Sequence, residues 1–184
     1  MSSIKLTADS GGGTFELKAP SSSGNTRVLT LPDTGNLTLG QAPGTIVQAK
    51  CSAASSAGQI SSTADSYNDI TGIDLLITPK FSNSTMILIT NFHCGTGGSN
   101  RNASLRLTFD HSGISQTAID TNQDGYSLQS AAGSFDGFGI MCYTHSPNTT
   151  NEITYRFQFR NVGGLGTVYF NRKPSKIIAY EVAV

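Results

Sequence analysis

The sequence predicts an all-β protein, a β-sandwich or jelly-roll-like body preceded by an extended N-terminal β arm. Short runs of Ile, Val, Leu, Phe, Tyr and Thr recur along the chain, separated by Gly, Asn, Asp, Ser and Pro. No window shows the i, i+3, i+4, i+7 apolar spacing of an amphipathic helix. Residues 153–160 alternate apolar with polar side chains, which predicts a strand with one face in the core and the other in water.

Residues 1–42 form the predicted arm. They contain apolar-x-apolar units, each too short to bury a core of its own: Ile4-Lys-Leu6, Phe15-Glu-Leu17, Leu29-Thr-Leu31 and Leu37-Thr-Leu39. Such units order only against the body, another copy or a partner, because they cannot offset their own conformational entropy. The alternative, a disordered tail, is less compatible with this regular apolar alternation. The Pro43-Gly44 pair is a natural boundary, so the body spans residues 43–184.

The body is predicted to contain a series of short strands. They cover residues 45–50, 73–78, 86–93, 103–109, 114–117, 138–143, 153–160, 167–171 and 176–182. The nearest candidate for a helix, residues 53–64, is rich in Ser and lacks a large apolar stripe, so we predict a loop or an irregular strand there. Many short strands joined by polar turns are typical of a sandwich or jelly roll.

Composition excludes several classes of partner. The chain has 184 residues with 12 basic and 12 acidic side chains, and only 13% of its residues are charged. No basic patch for nucleic acid or an anionic membrane is indicated. The apolar runs are far shorter than the roughly 20 residues of a membrane helix. The N-terminus lacks the basic and apolar regions of a secretory signal, so we expect synthesis in a cytoplasm.

The three cysteines, Cys51, Cys94 and Cys142, suggest no disulfide framework and no zinc site. Their number is odd, and they are spaced too widely for the CxxC pairs that bind zinc. We therefore predict three buried, unreactive thiols.

One segment resembles the start of a calcium loop. Asp120, Asn122 and Asp124, followed by Gly125, match the opening D-x-N-x-D-G pattern of oxygen ligands. The twelfth position, where a bidentate Glu is required, is Ala131, and the flanking sequence predicts strands instead of helices. We predict an ordinary turn and no metal, with a bound cation as the weaker alternative.

No pattern predicts catalysis or a cofactor. His111 follows Asp110 and could be combined with a serine into a nucleophilic triad, but the chain contains no G-x-S-x-G elbow. The Gly-rich segments at 95–98 and 163–166 lack a P-loop Lys and a following helix, so they are predicted to be hairpin turns. The carboxylate pair Asp65/Asp69 lies in turn-like sequence without an apolar surround. The prediction is a protein without catalytic residues or cofactors.

Four aromatic residues lie in or beside predicted loops, where they could contact a sugar or a receptor. They are Tyr67, Tyr126, Phe135 and Phe138. The chain contains no Trp, so core packing or a subunit interface is the favoured interpretation.

Two parts of the chain resemble surface proteins of tailed-bacteriophage virions, those of cyanophages among them. In the arm the resemblance lies in ADSGGGTFELKAP at residues 8–20 and RVLTLPDTG at residues 27–35. In the body it lies in ITGIDLLITP (70–79), MILI (86–89), SPNTT (146–150), ITYRFQF (153–159) and GTVYFNR (166–172). The resemblance covers most of the chain, and it defines no functional residue that can be carried over.

The resemblance implies a non-enzymatic, homotrimeric structural protein of the virion, made in the cytoplasm of a host bacterium. The chain has no heptads or collagen-like repeat for a long fibre, which favours capsid decoration, or cement, bound to the major capsid protein. In that interpretation Phe15, Leu17, Leu29 and Leu31 of the arm contact neighbouring chains or the shell. A short tail or head fibre, or a module that binds a receptor or a host surface glycan, is the alternative. Neither nucleic acid nor membrane insertion is expected.

Overall fold

A computed structural model describes the chain in two units, residues 1–37 and 38–184, which are treated separately below. The residues described are 3–7, 14–18, 24, 43–52, 60–98, 101–120, 126–130, 133–164, 166–170 and 174–184. In the first unit, β1 (Ser3–Thr7) pairs with β2 (Thr14–Lys18) in an antiparallel hairpin. Its register places Ile4 opposite Leu17 and Leu6 opposite Phe15.

The second unit is built from strands, which confirms the all-β prediction. In chain order they are β3 (Ile46–Cys51), β4 (Ile60–Ser62), β5 (Asn68–Asp69), β6 (Leu75–Ile77), β7 (Thr85–Thr96), β8 (Arg101–His111), β9 (Ile114–Ala118), β10 (Tyr126–Ser130), β11 (Phe135–His145), β12 (Ile153–Asn161), β13 (Val168–Phe170) and β14 (Lys176–Val182). Every predicted body strand overlaps one of these. Strand β4 falls in the segment predicted as a loop or an irregular strand, and β5 and β10 were not predicted. No helix among the described residues is long and apolar enough to cross a membrane.

The strands form two antiparallel sheets with the connectivity of a jelly roll. In sheet I the order is β3-β14-β7-β11, with β13 beside the far end of β7 and β4 beside β13. In sheet II, β6 and β5 flank one side of β12, β8 flanks the other, and β9 and β10 flank β8. The chain switches sheet between β4 and β5, β6 and β7, β7 and β8, β10 and β11, β11 and β12, and β12 and β13. Apart from β8 and β9, no two paired strands of these sheets are consecutive in the chain, which is the double Greek-key arrangement.

The two Gly-rich segments connect the sheets, so their interpretation as hairpin turns was wrong. Strand β7 ends at Thr96 in sheet I, and β8 begins at Arg101 in sheet II. The second segment follows β12 of sheet II and precedes β13 of sheet I. There Gly163 and Gly166 adopt positive φ angles of 80° and 66°, which other residues rarely do. These two glycines lie where the chain passes from β12 of sheet II to β13 of sheet I.

The core lies between the sheets. Ile153, Tyr155, Phe157 and Phe159 of β12 are at most 2% exposed, which confirms the predicted alternation of that strand. The ring of Phe92 on sheet I packs 5.9 Å from Phe157 on sheet II, so aromatic contacts join the two layers. Further buried apolar residues are Ile70, Ile73, Leu75, Ile77, Met86, Leu88, Leu105, Leu107, Val168, Phe170, Ile177 and Ala179.

One buried carboxylate fixes the loop between β6 and β7. Glu181 points inward from β14 and is fully buried. It accepts hydrogen bonds from the backbone N–H of Lys80 and of Phe81, and also from Ser84 Oγ and Gln48 Nε2, at distances of 2.6–3.0 Å. Burial alone would raise the pKa of Glu181, but these four donors outweigh it and lower the pKa below its usual value. The charged carboxylate therefore ties this loop to sheet I.

Candidate functional site

Asp110 and His111, which the sequence offered as members of a nucleophilic triad, instead make structural contacts. Asp110 Oδ2 lies 2.6 Å from Arg156 Nη1 in a part-buried ion pair. His111 Nδ1 lies 3.0 Å from the backbone oxygen of its neighbour Ser112, and its ring stacks on Phe109. The Asp110 carboxylate thus neutralises an arginine on the neighbouring strand.

Folding brings a second histidine to this end of the sandwich. His145, at the end of β11, places Nδ1 2.8 Å from the hydroxyl of Tyr155 on β12. Its ring also packs 4.1 Å from Phe109. Burial, and to a smaller extent the nearby His111, lowers the pKa of His145 from 6.5 to about 4. His145 is therefore neutral near pH 7 and joins the two sheets. The sequence carried no signal for this contact, because the residues belong to strands of different sheets.

The candidate calcium loop lies mostly outside the described residues. Asp120 is described at the turn after β9, whereas Asn122 and Asp124 are not. In the described ranges no group of three or more His, Cys, Asp or Glu side chains could hold a metal ion.

The prediction of three buried thiols was wrong for two of them. Cys94 is buried, but Cys51 and Cys142 are exposed, and all three are free thiols. Burial raises the pKa of Cys94 to about 11, with a smaller contribution from the Asp136 charge, so this thiol stays protonated. The two exposed cysteines lie on the outward side of sheet I, opposite residues that also point away from the core.

The outer side of sheet II, here called the polar face, carries a connected network. It consists of residues 104, 106, 108 and 110 on β8 and residues 154, 156, 158 and 160 on β12. Arg156 contacts both Asp74, at 3.0 Å, and Asp110. Burial disfavours its charge, but hydrogen bonds and attraction from the two carboxylates outweigh this effect and raise the pKa of Arg156. Gln158 donates to Asp69 at 2.8 Å and accepts from Arg106 at the same distance.

Tyr67 covers one end of the polar face. Its ring lies 3.8 Å below the guanidinium carbon of Arg106 and 5.0 Å from that of Arg160. Its hydroxyl is 2.9 Å from Ser104 Oγ. Stacking on two cations and a hydrogen bond fix this ring in place, which gives Tyr67 a structural role instead of the loop contact considered from the sequence.

The outer side of sheet I, here called the apolar face, has a different character. The strand register aligns its residues in rows across β3, β14, β7 and β11. The rows are Ile46–Val182–Thr85, Ala49–Tyr180–Ile87–Thr144, Cys51–Ile178–Ile89–Cys142, Lys176–Asn91–Ile140 and His93–Phe138. The first three rows contain no charged side chain, and Lys176 in the fourth is charged.

Several large side chains of the apolar face are open to water. Ile140 is 68% exposed, Phe138 64%, Ile46 59% and Ile87 38%. At the far end Phe138 packs on His93, and His93 Nε2 lies 2.9 Å from Asp136. A sheet face that is meant for water usually alternates polar residues outward, so this contiguous apolar surface indicates a binding surface.

The other loop aromatics have separate positions. Tyr126 packs its ring 5.0 Å from Phe92 at the edge of the core. Phe135 is 40% exposed, and its ring occupies space that a side chain at Gly137 would need. Phe138 alone of the four belongs to the apolar face.

The predicted contact residues of the arm are only partly described. Phe15 and Leu17 lie on β2, opposite Leu6 and Ile4 of β1. Leu29 and Leu31 lie outside the described residues. Their role in binding a partner stays a prediction.

No protein-family model and no curated protein matches the chain. Among solved structures it is similar to the Eiger TNF of S. frugiperda, at 13% identity over 77% of this chain and 94% of that one, with a TM-score of 0.41. It is also similar to the VP2 subviral particle of infectious bursal disease virus, at 15% identity over 74% of this chain and 37% of that one, with a TM-score of 0.41. At these values the similarities assign neither a family nor a function.

Proposed function

We propose that this chain is a non-enzymatic structural protein of a tailed-bacteriophage virion, a homotrimeric capsid decoration protein attached to the shell through its N-terminal arm. The observation that carries the proposal is the apolar face, an outer sheet surface of the β-sandwich whose first three rows carry no charge. A protein of this form acts by burying surface against other chains, and the resemblance of its arm and body motifs to virion surface proteins suggests which chains these are.

The contrast with the polar face supports an assembly role. The carboxylates of Asp69, Asp74 and Asp110 are hydrogen-bonded within the chain, so none of the three is held free for acid-base chemistry. Catalytic groups usually keep perturbed, solvent-accessible charges in a cleft. Assembly requires instead a stable body, a dry contact surface and an attachment segment.

Copy number in purified virions tests the proposal. We would measure it by quantitative mass spectrometry against the major capsid protein, because geometry links abundance to location. Hundreds of copies support a shell decoration protein, whereas a few dozen or fewer would support the alternative, a short tail or head fibre. Absence from the virion would contradict the proposal and favour a receptor- or glycan-binding module.

The attachment step has its own test. In the full chain, the double substitution Phe15→Asp and Leu17→Asp should abolish co-sedimentation with shells that lack the protein, because it removes apolar contacts of the arm. The matched control, Glu16→Gln, lies between them on the same strand and should leave co-sedimentation unchanged. Equal binding by both variants would show that the arm is not the attachment device.

A further inference from the structure

We propose that copies of this chain associate through the apolar face of sheet I, so that the surface exposed on one chain is covered by a second copy. A face that covers the same face of a second copy closes a two-fold pair, so this contact is separate from the three-fold contact of the proposed homotrimer. It does not depend on location in a virion.

The size of the face fits a specific interface. Its four strands, spaced about 4.8 Å apart, give a width of about 19 Å, and residues 85–93 of β7 span about 27 Å at 3.4 Å per residue. The flat footprint is therefore about 500 Å² per copy, and two copies would bury about 1,000 Å² in total. This is the lower bound for a specific protein interface before the relief of the side chains is counted.

The chemistry of the face indicates a second copy as the occupant. Its first three rows offer no charge for a nucleic acid, a phosphate or an acidic peptide to pair with, so the partner surface opposite these rows must also be apolar and uncharged. Of the other large exposed apolar residues among those described, Leu76 and Ile114 lie on sheet II, Phe135 lies at the start of β11 against Gly137, and Val184 follows β14. The matching surface on the described part of the chain is thus the apolar face itself, and a face that meets the same face of a second copy forms a two-fold contact.

The exposed cysteines provide an independent argument. Cys51 and Cys142 occupy the two ends of one row, with Ile178 and Ile89 between them. Free cysteine is among the most frequently buried residue types, and exposed thiols are prone to oxidation. Two exposed thiols on one row of an apolar surface are expected when another chain covers that row.

Strand β11 forms one edge of the apolar face, and this edge also needs protection from unwanted strand pairing. Strand β11 pairs with β7 over eleven residues, and no described strand pairs with its other side. Its sequence, FDGFGIMCYTH, contains neither Lys nor Pro, the residues that usually protect exposed edges from unwanted pairing. A second copy on this side of sheet I would protect the edge together with the face.

The test compares two lysine variants of the full chain by sedimentation equilibrium. Phe138→Lys combined with Ile140→Lys places two charges in the face, whereas the control Ile114→Lys places one at an exposed Ile on sheet II. We expect wild type and control to associate equally, and the double variant to associate about 100-fold more weakly or not at all. Unchanged circular dichroism shows that the double variant is folded. A monomeric wild type, or a double variant that associates like wild type, overturns the inference.

Thiol labelling gives a second readout that needs no substitution. In wild type, a maleimide should label Cys51 and Cys142 slowly at high protein concentration and faster on dilution, because dissociation uncovers them. Cys94 should stay unlabelled until the chain unfolds. Labelling rates that are independent of concentration would contradict the inference. Association of purified protein that is absent from virions would contradict the virion proposal alone, so the two failures can be told apart.

Discussion

The two outer faces of the sandwich differ in how far their outward side chains are paired within the chain. On the polar face the outward side chains of β8 and β12 satisfy one another, with Arg156 held between two aspartates and Tyr67 stacked on two arginines. On the apolar face the His93–Asp136 pair lies at one end, the rows from Ile46 to Cys142 carry no charge, and Ile140 is the most exposed of the described large apolar residues.

The difference indicates that the polar face stabilises the folded chain, whereas the apolar face can bind another chain. A network whose members are paired within one chain gains little from a second chain, because its hydrogen bonds are already made. An uncharged apolar surface gains with every square ångström removed from water. Substitutions on the polar face should therefore affect the free energy of unfolding, and substitutions on the apolar face should affect association.

The largest effect is expected for Arg156→Ala, which breaks the polar face at its centre. It leaves the Asp74 and Asp110 carboxylates without their cation, and we expect the free energy of unfolding to fall by about 2 kcal/mol. Urea denaturation measures it. At concentrations where the chain is dissociated, Ile140→Thr on the apolar face should change the value by less than about 0.5 kcal/mol. Equal losses for both variants would remove the distinction between the faces.

A smaller effect on the free energy of unfolding is expected from His145, which joins the two sheets. The pKa of His145 is about 4 in the folded chain, against an ordinary value of 6.5. Between these values the unfolded chain binds a proton that the folded chain does not, so stability is lost as the pH falls from 6.5 towards 4. With allowance for the partial exposure of the ring, the loss is about 1–2 kcal/mol.

Urea denaturation of wild type and His145→Gln at several pH values isolates this contribution. The variant lacks the titrating imidazole, so its free energy of unfolding should vary less across the same window. Parallel pH profiles for the two proteins would show that His145 does not titrate as described.

Tyr67→Phe should have an effect of about 1 kcal/mol, because it removes the hydrogen bond to Ser104 and keeps the ring beneath the arginines. Tyr67→Ala should cost more, since the stacking is lost as well. Thermal unfolding of the two variants gives the comparison. Identical midpoints would assign no stabilising role to the stacked ring.

The smallest effect is expected from salt. It should lower the stability of the dissociated chain but should not weaken association, so it distinguishes the two faces. Sodium chloride at 1 M should lower the free energy of unfolding of the dissociated chain by less than about 1 kcal/mol, because it screens the part-exposed ion pairs of the polar face. Association through the apolar face should be unchanged or stronger. Sedimentation at two salt concentrations checks this, and dissociation at high salt would mean that charges hold the copies together.

The sequence predicted those features that lie within one strand. The alternation of β12 and the limits of β14 were readable because each depends on neighbouring residues. Strands β5 and β10 were missed, and β4 was left open between a loop and an irregular strand, because all three are short or polar and become strands through their partners. Individual strands of the sandwich were thus predictable, while its sheet-to-sheet connections were not.

The apolar face could not be predicted, because its rows combine four strands that are far apart in the chain. Cys51 and Cys142 reach the same row only through the order β3-β14-β7-β11. For the same reason the cysteines were expected to be buried in the core, whereas they lie on a surface. Glu181 was overlooked too, since nothing near it in sequence indicates its four donors.

Sheet I is completed only after strand β14 has been synthesised. This strand lies between β3 and β7, and the backbone of Ala183 also bonds to Gly44 and Thr45. Sheet I therefore cannot close until residues 176–182 have left the ribosome, so folding of the body depends on slow, non-local pairing. Because β14 also supplies Ile178, Tyr180 and Val182 to the apolar face, a chain that ends before this strand lacks the middle of that face as well as the closed sheet.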